Sequence, residues 1–119
     1  MHQILGLIGF AIGMALTTWA MLVNSFFSSA VRLQPDRSQH VVTAGPYRVV
    51  RHPGYSGGLL LLLSIGIALG SWIAMTPILL IVPLMVRRIL IEERMLADAL
   101  PGYADYTRRV RSRIVPGLW

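Results

Sequence analysis

Residues 54–86, GYSGGLLLLLSIGIALGSWIAMTPILLIVPLMV, contain no charged side chain. As one straight helix this stretch would extend about 50 Å, whereas the hydrocarbon core of a bilayer is about 30 Å thick. Arginines flank it on both sides, and such positive flanks belong in the cytoplasm, so the chain must cross the membrane an even number of times between them. The stretch therefore predicts a helical hairpin that turns near Gly70, Ser71 and Trp72.

A second uncharged stretch, residues 2–31, precedes the hairpin. Residues 4–23 alone supply the ~20 apolar residues that a membrane span needs. The leading MHQ lacks the basic segment of a signal peptide, so we interpret the stretch as a retained transmembrane helix. Gly9 and Gly13 form a GxxxG pattern, which indicates close packing against another helix.

The sequence thus predicts an all-α polytopic membrane protein with about three transmembrane helices, one span plus a helical hairpin. We divide this single domain into a first span (1–31), a cytoplasmic loop (32–53), the hairpin (54–90) and a cytoplasmic helical cap (91–119). The flanking arginines place the N-terminus outside and the C-terminus in the cytoplasm. All 11 basic residues are arginines, which suggests a GC-rich bacterium and hence its inner membrane.

The composition and charge of the chain indicate which kinds of molecule it binds. The chain is 55% hydrophobic and has a formal net charge of +6, a balance that fits nucleic acid or an anionic membrane. Its charge is confined to short segments between uncharged ones, so we expect contact with membrane lipids and no nucleic acid. Cysteine is absent and the three histidines show no ligand spacing, so no metal site is expected.

Beyond the hairpin, the segment RRILIEERMLADAL places Arg88 with Glu92, and Arg94 with Asp98, at the i,i+4 spacing of helical ion pairs. Pro101 and Gly102 should break that helix. Residues 103–113, YADYTRRVRSR, then predict a short amphipathic helix that Pro116 ends.

Polar and aromatic residues gather on the predicted cytoplasmic face. Adjacent Glu92 and Glu93 at the end of a membrane helix repel each other and resist leaving water, and a cationic ligand would relieve both penalties. Both could instead be solvated or paired with neighbouring arginines, and His52 could be a loop residue bonded to backbone. The full set comprises Tyr47, Arg51, His52 and Tyr55 on one side of the hairpin, and Glu92, Glu93, Tyr103 and Tyr106 on the other.

The motifs GPYRVVRHPGYSGG (45–58), EERML (92–96) and PGYADYTRRVRSRIVP (101–116) resemble the C-terminal half of the isoprenylcysteine carboxyl methyltransferase family. The related phospholipid N-methyltransferases carry a similar RHPxY and glutamate pair. The resemblance covers about residues 43–116. It implies an enzyme that binds S-adenosyl-L-methionine at the cytoplasmic surface and methylates a lipophilic carboxylate, amine or thiol arriving from the bilayer.

The resemblance also implies roles for individual residues. Those expected to bind the cofactor are Tyr47, Arg51, His52, Pro53, Gly54 and Tyr55 around the first motif, Glu92 and Glu93 in the second, and the aromatic pair Tyr103 and Tyr106. Arg109 and Arg113 lie where the family carries basic residues that face the substrate, and they are the expected catalytic residues.

Two other functions remain open. Membrane sterol reductases carry a similar GPYRxxRHPxY block, so an NADPH-dependent reductase is an alternative, although a chain this short leaves little room for a dinucleotide plus a sterol. A non-catalytic membrane scaffold that keeps the motif as a fold element is the third. Eukaryotic family members have more spans before this region, so a homo-oligomer packed through Gly9 and Gly13 could complete a lipid pocket.

Overall fold

The computed structural model describes residues 1–119 as four α-helices without a β-strand. Helix α1 spans His2–Val23, α2 spans Pro53–Leu69, α3 spans Trp72–Ala99 and α4 spans Tyr103–Arg109. Two 3₁₀ turns, Pro35–Arg37 and Gly45–Arg48, lie between α1 and α2. The all-α prediction is confirmed. Helices α1 and α3 are long and apolar enough to cross a membrane, and α2 is a shorter apolar helix of 17 residues.

The predicted hairpin turns at Gly70 and Ser71. Gly70 adopts φ 58°, a left-handed conformation that glycine tolerates, and its N–H reaches the last carbonyls of α2. The Ser71 hydroxyl then accepts a hydrogen bond from the Ala74 N–H at 3.3 Å and caps α3. Local turn chemistry therefore places the break in the apolar stretch where the sequence predicted it.

Small residues let α1 and α2 approach each other closely. A Cβ built on Gly13 would lie 2.9 Å from the Gly57 carbonyl oxygen, and one on Gly6 would meet the backbone of Ala68 at 2.5 Å. Gly9 faces Ser64 in the same way. The GxxxG face of α1 is thus occupied by α2 of the same chain. The homo-oligomer expected through Gly9 and Gly13 stays a prediction.

The outer surfaces of α1 and α3 are apolar. Leu7 is 64% exposed, Ile73 81% and Leu79 76%, and other large aliphatic side chains surround them. Continuous exposed apolar surface of this kind is typical of a membrane or protein contact, not of a surface in water.

The structure departs from the expected layout in three places. Helix α1 ends at Val23, so residues 24–31 belong to the loop, and α3 runs unbroken across the expected boundary between residues 90 and 91. Helix α4 ends at Arg109, so the predicted helix over 103–113 is too long. The reason is that the chain beyond it pairs with the first motif: the Arg51 and His52 N–H groups each donate, at 2.9 Å, to the carbonyls of Ser112 and Arg113.

Candidate functional site

The RHPGY motif joins the loop to the start of α2. Pro53 is the first residue of the helix, where its missing N–H is not needed. Proline also disfavours the α region for the residue before it, and His52 has φ −127° and ψ 62°. The Ser56 hydroxyl donates to the Ile114 carbonyl at 2.6 Å, so the C-terminal segment is bonded to the start of α2.

The carboxylate of Glu93, on α3, binds side chains of the RHPGY motif. Arg51 Nε donates to Glu93 Oε1 at 2.8 Å, and His52 Nε2 lies 3.0 Å from the same oxygen. Arg113 Nε donates to Glu93 Oε2 at 2.9 Å. The side chains of Glu93 and Arg51 are only 12% and 7% exposed, so the network is shielded from water. Glu93 therefore positions two residues of the first motif and one of the cap.

A cavity of about 320 Å³ lies beside this network. That volume is at the lower end of the roughly 300–1,000 Å³ typical of small-molecule sites. The ring of Phe27, from the loop, packs against Gly54, where a Cβ would lie 2.8 Å from Phe27 Cζ. The expected cofactor residues that line the cavity are Tyr47, Arg51, His52, Gly54, Tyr55, Glu92, Tyr103 and Tyr106.

The two adjacent glutamates have different surroundings. Glu93 is absent from the cavity lining, whereas Glu92 is the one carboxylate that lines it. Tyr55 donates its hydroxyl to Glu92 Oε2 at 3.2 Å, and Glu92 Oε1 forms no hydrogen bond within the protein. The expected i,i+4 pairs of Arg88 with Glu92 and of Arg94 with Asp98 are wrong. Arg88 instead donates to the Ser29 carbonyl and lies over the Tyr55 ring, 5.7 Å from its centroid.

Three tyrosines form one wall. Tyr103 and Tyr106 are buried with ring centroids 5.9 Å apart, and Tyr106 donates its hydroxyl to the Tyr47 carbonyl at 2.7 Å. Burial raises the pKa of Tyr47, Tyr103 and Tyr106 above the ordinary value of a phenol. All three hydroxyls therefore stay protonated at neutral pH, and the tyrosines present aromatic rings to the cavity rather than phenolates.

The remaining expected site residues lie away from the cavity. Pro53 is buried at the start of α2. Arg109 is exposed on α4, and Arg113 pairs with Glu93 and lies 4.8 Å from the Trp119 ring centroid. The structure brings neither arginine to the cavity, and their role toward a substrate stays a prediction.

Sequence reasoning missed two contributors to the cavity. Arg88 lines it, and its position one turn before Glu92 places both side chains on the same face of α3. The loop after α1 also lines it, with Asn24, Ser29, Arg32 and His40 among its residues. These loop residues follow no motif or period, so the sequence carries no signal for them. No group of three or more histidine, cysteine or carboxylate side chains is placed to hold a metal ion.

The sequence profile of the phospholipid methyltransferase family matches residues 1–101. The chain belongs to this family. The expected family resemblance is thereby confirmed, and the match extends over α1, although it ends before Tyr103, Tyr106, Arg109 and Arg113. Membership of a membrane methyltransferase family agrees with the apolar surfaces of α1 and α3, and the protein is a membrane protein.

The chain is also similar to a curated protein, the cobalt-zinc-cadmium resistance protein CzcN of Cupriavidus metallidurans. It is 36% identical over 85 residues, which cover 67% of this chain and 38% of the relative. The chain therefore spans well under half the length of that protein.

Proposed function

We propose that this protein transfers a methyl group from S-adenosyl-L-methionine to a lipophilic substrate at the cytoplasmic face of the membrane. The observation that carries the proposal is the cavity whose lining combines Glu92, with its Oε1 free of hydrogen bonds within the protein, with arginine side chains and tyrosine rings. S-adenosyl-L-methionine presents a sulfonium and an ammonium cation, a carboxylate, ribose hydroxyls and adenine. Glu92 suits a cation or hydroxyls, Arg51 and His52 suit the carboxylate, and tyrosine rings suit adenine.

The donor set of the cavity matches this cofactor without a metal or a nucleophilic side chain. When bound, the cofactor supplies a methyl carbon that its positive sulfur already activates. The chain then has to align two reactants and exclude water, and orientation alone can supply ~7–11 kcal/mol of a barrier. Glu93 contributes to alignment by holding Arg51 and His52 in place, and residues of the loop after α1 line the cavity.

The proposal includes an orientation in the membrane. Residues 6 and 13 of α1 face residues 68 and 57 of α2, so the two helices are antiparallel neighbours and should cross together. Helix α3 then returns the chain, which gives three crossings with the N-terminus outside and the C-terminus in the cytoplasm, in a bacterial inner membrane.

Reporter fusions test this orientation. Fusions truncated after Arg37 and after Arg94 should both report the cytoplasm, because arginines concentrate at these two positions. A fusion after Gly70 is the control and should report the opposite side. Opposite signals from the first two fusions would contradict the three-crossing arrangement.

Calorimetric titration of the purified protein tests the cofactor. We expect S-adenosylhomocysteine to bind and NADPH to give no heat beyond dilution, because the cavity is close to the lower size limit for one small ligand. Binding of NADPH alone would favour the reductase. Binding of neither ligand would favour the non-catalytic scaffold.

A further inference from the structure

The segment after α4, residues 110–119, runs back along the start of α2. Its successive carbonyls accept hydrogen bonds from successive groups there: Ser112 from the Arg51 N–H, Arg113 from the His52 N–H, and Ile114 from the Ser56 hydroxyl. Residues 51–56 lead into the uncharged stretch 54–86. The order of these contacts therefore directs the segment toward the apolar part of the helices.

The Ile114 side chain packs against that apolar part. It forms a buried cluster with Met85 and Ile89 of α3, and Leu59 of α2 and the Trp119 ring pack against this cluster. Leu59 lies about 9 Å along α2 from its first residue. Leu59 and Met85 both belong to the uncharged stretch. The segment therefore packs at the level where α2 and α3 are already apolar.

The turn formed by residues 114–119, IVPGLW, exposes apolar side chains and contains no charged one. Leu118 is 80% exposed and Val115 is 37% exposed. Arg111, which precedes the turn, is exposed as well. Segments that lie at a membrane surface combine apolar and aromatic side chains beside the acyl chains with arginines at the head groups. The turn and its neighbouring arginine have this composition.

The backbone of this turn is irregular, yet its N–H groups find acceptors within the segment. Those of Arg113, Ile114 and Val115 all donate to the main-chain oxygen of Trp119, at 2.8, 2.9 and 3.0 Å. The remaining N–H groups also have acceptors: Gly117 donates to the Ser112 hydroxyl, and Leu118 and Trp119 donate to the Val115 carbonyl. A loop in water can leave its donors to the solvent, whereas backbone that approaches hydrocarbon has to satisfy them internally.

We propose that residues 114–119 bind the lipid–water interface of the bilayer, with Leu118 against the upper acyl chains and Arg111 at the lipid head groups. The carbonyls of residues 116–118 accept no hydrogen bond within the protein, so the turn stays where water reaches them and does not enter the hydrocarbon core. The sequence alone predicts a cytoplasmic cap over residues 91–119. In this arrangement the turn of that cap lies in the membrane surface instead.

Spin labels measure the depth of single positions, and the absence of cysteine allows each label to be attached to one introduced residue. Leu118→Cys, Asp105→Cys and Leu79→Cys are each labelled with a nitroxide and reconstituted into vesicles of phosphatidylcholine and phosphatidylglycerol. Electron paramagnetic resonance compares collisions with oxygen, which concentrates in lipid, and with a water-soluble nickel chelate. We expect the ratio of oxygen to nickel collisions at position 118 to exceed the ratio at position 105 several-fold.

The other two positions are the matched controls. The Asp105 side chain is 72% exposed on α4 and reports water, and Leu79 is 76% exposed on α3 and reports lipid. Melting curves show whether the labelled variants fold. Equal ratios at positions 118 and 105 would place the turn in water and overturn the proposal. Low accessibility of position 118 to both reagents would mean that protein covers the turn, which would overturn it too. The measurement needs no cofactor, so its outcome is independent of the proposed methyl transfer.

Discussion

Glu93→Gln should lower the stability of the protein by about 3–5 kcal/mol, the range for removing one partner of a buried ion pair. The carboxylate accepts from Arg51 and Arg113 and lies 3.0 Å from His52 Nε2. Its loss leaves Arg51 and His52, whose side chains are buried, without their charged acceptor. Solvent should screen these ion pairs only weakly, because the Glu93 side chain is 12% exposed. Thermal unfolding of the detergent-solubilised protein measures the change.

Asp105→Asn is the control for that experiment. Asp105 also forms an ion pair, with Arg108, but the two side chains are 72% and 78% exposed. Exposed pairs contribute about 0–1 kcal/mol, so this variant should unfold close to the wild type. If Glu93→Gln unfolds together with Asp105→Asn, Glu93 does not hold the motif to α3.

The sequence predicts the hairpin because its determinants are local. An uncharged stretch too long for one span, with a glycine and a capping serine near its middle, restricts where the turn can lie, and Gly70 and Ser71 form it. The docking of residues 112–114 against the first motif has no such local signal. It depends on backbone hydrogen bonds between segments some 60 residues apart, which no pattern in either segment encodes.

The different roles of Glu92 and Glu93 follow from the rotation of α3. Residues four apart share one face of a helix. Met85 and Ile89 are buried, and Glu93 continues their stripe toward the first motif. Arg88 and Glu92 form the next stripe, which lines the cavity. The sequence shows both stripes but not which one faces the cavity, because both carry apolar and charged residues and tertiary packing fixes the rotation.

This rotation leads to an expectation for Glu92 that differs from the one for Glu93. Glu92→Gln should leave the melting temperature nearly unchanged, because Glu92 makes one hydrogen bond, from Tyr55, and faces a cavity. The variant should bind S-adenosyl-L-methionine about 10–150-fold more weakly than the wild type. This corresponds to a loss of ~1.5–3 kcal/mol of binding free energy, the range for a hydrogen bond to a charged group. Calorimetric titration of the purified variant measures this change.

Comparing two ligands in the same titration shows which part of S-adenosyl-L-methionine lies beside the Glu92 carboxylate. S-adenosylhomocysteine lacks the sulfonium charge but keeps the ammonium group and the ribose. A larger loss for S-adenosyl-L-methionine than for S-adenosylhomocysteine would place Glu92 beside the sulfur, and equal losses would place it beside the ammonium or ribose. Asp98→Asn is the control, since Asp98 is exposed on the same helix and lines no part of the cavity. Unchanged affinity of Glu92→Gln for both ligands would contradict a cofactor role for the one carboxylate in this cavity, and with it the observation on which the proposed function rests.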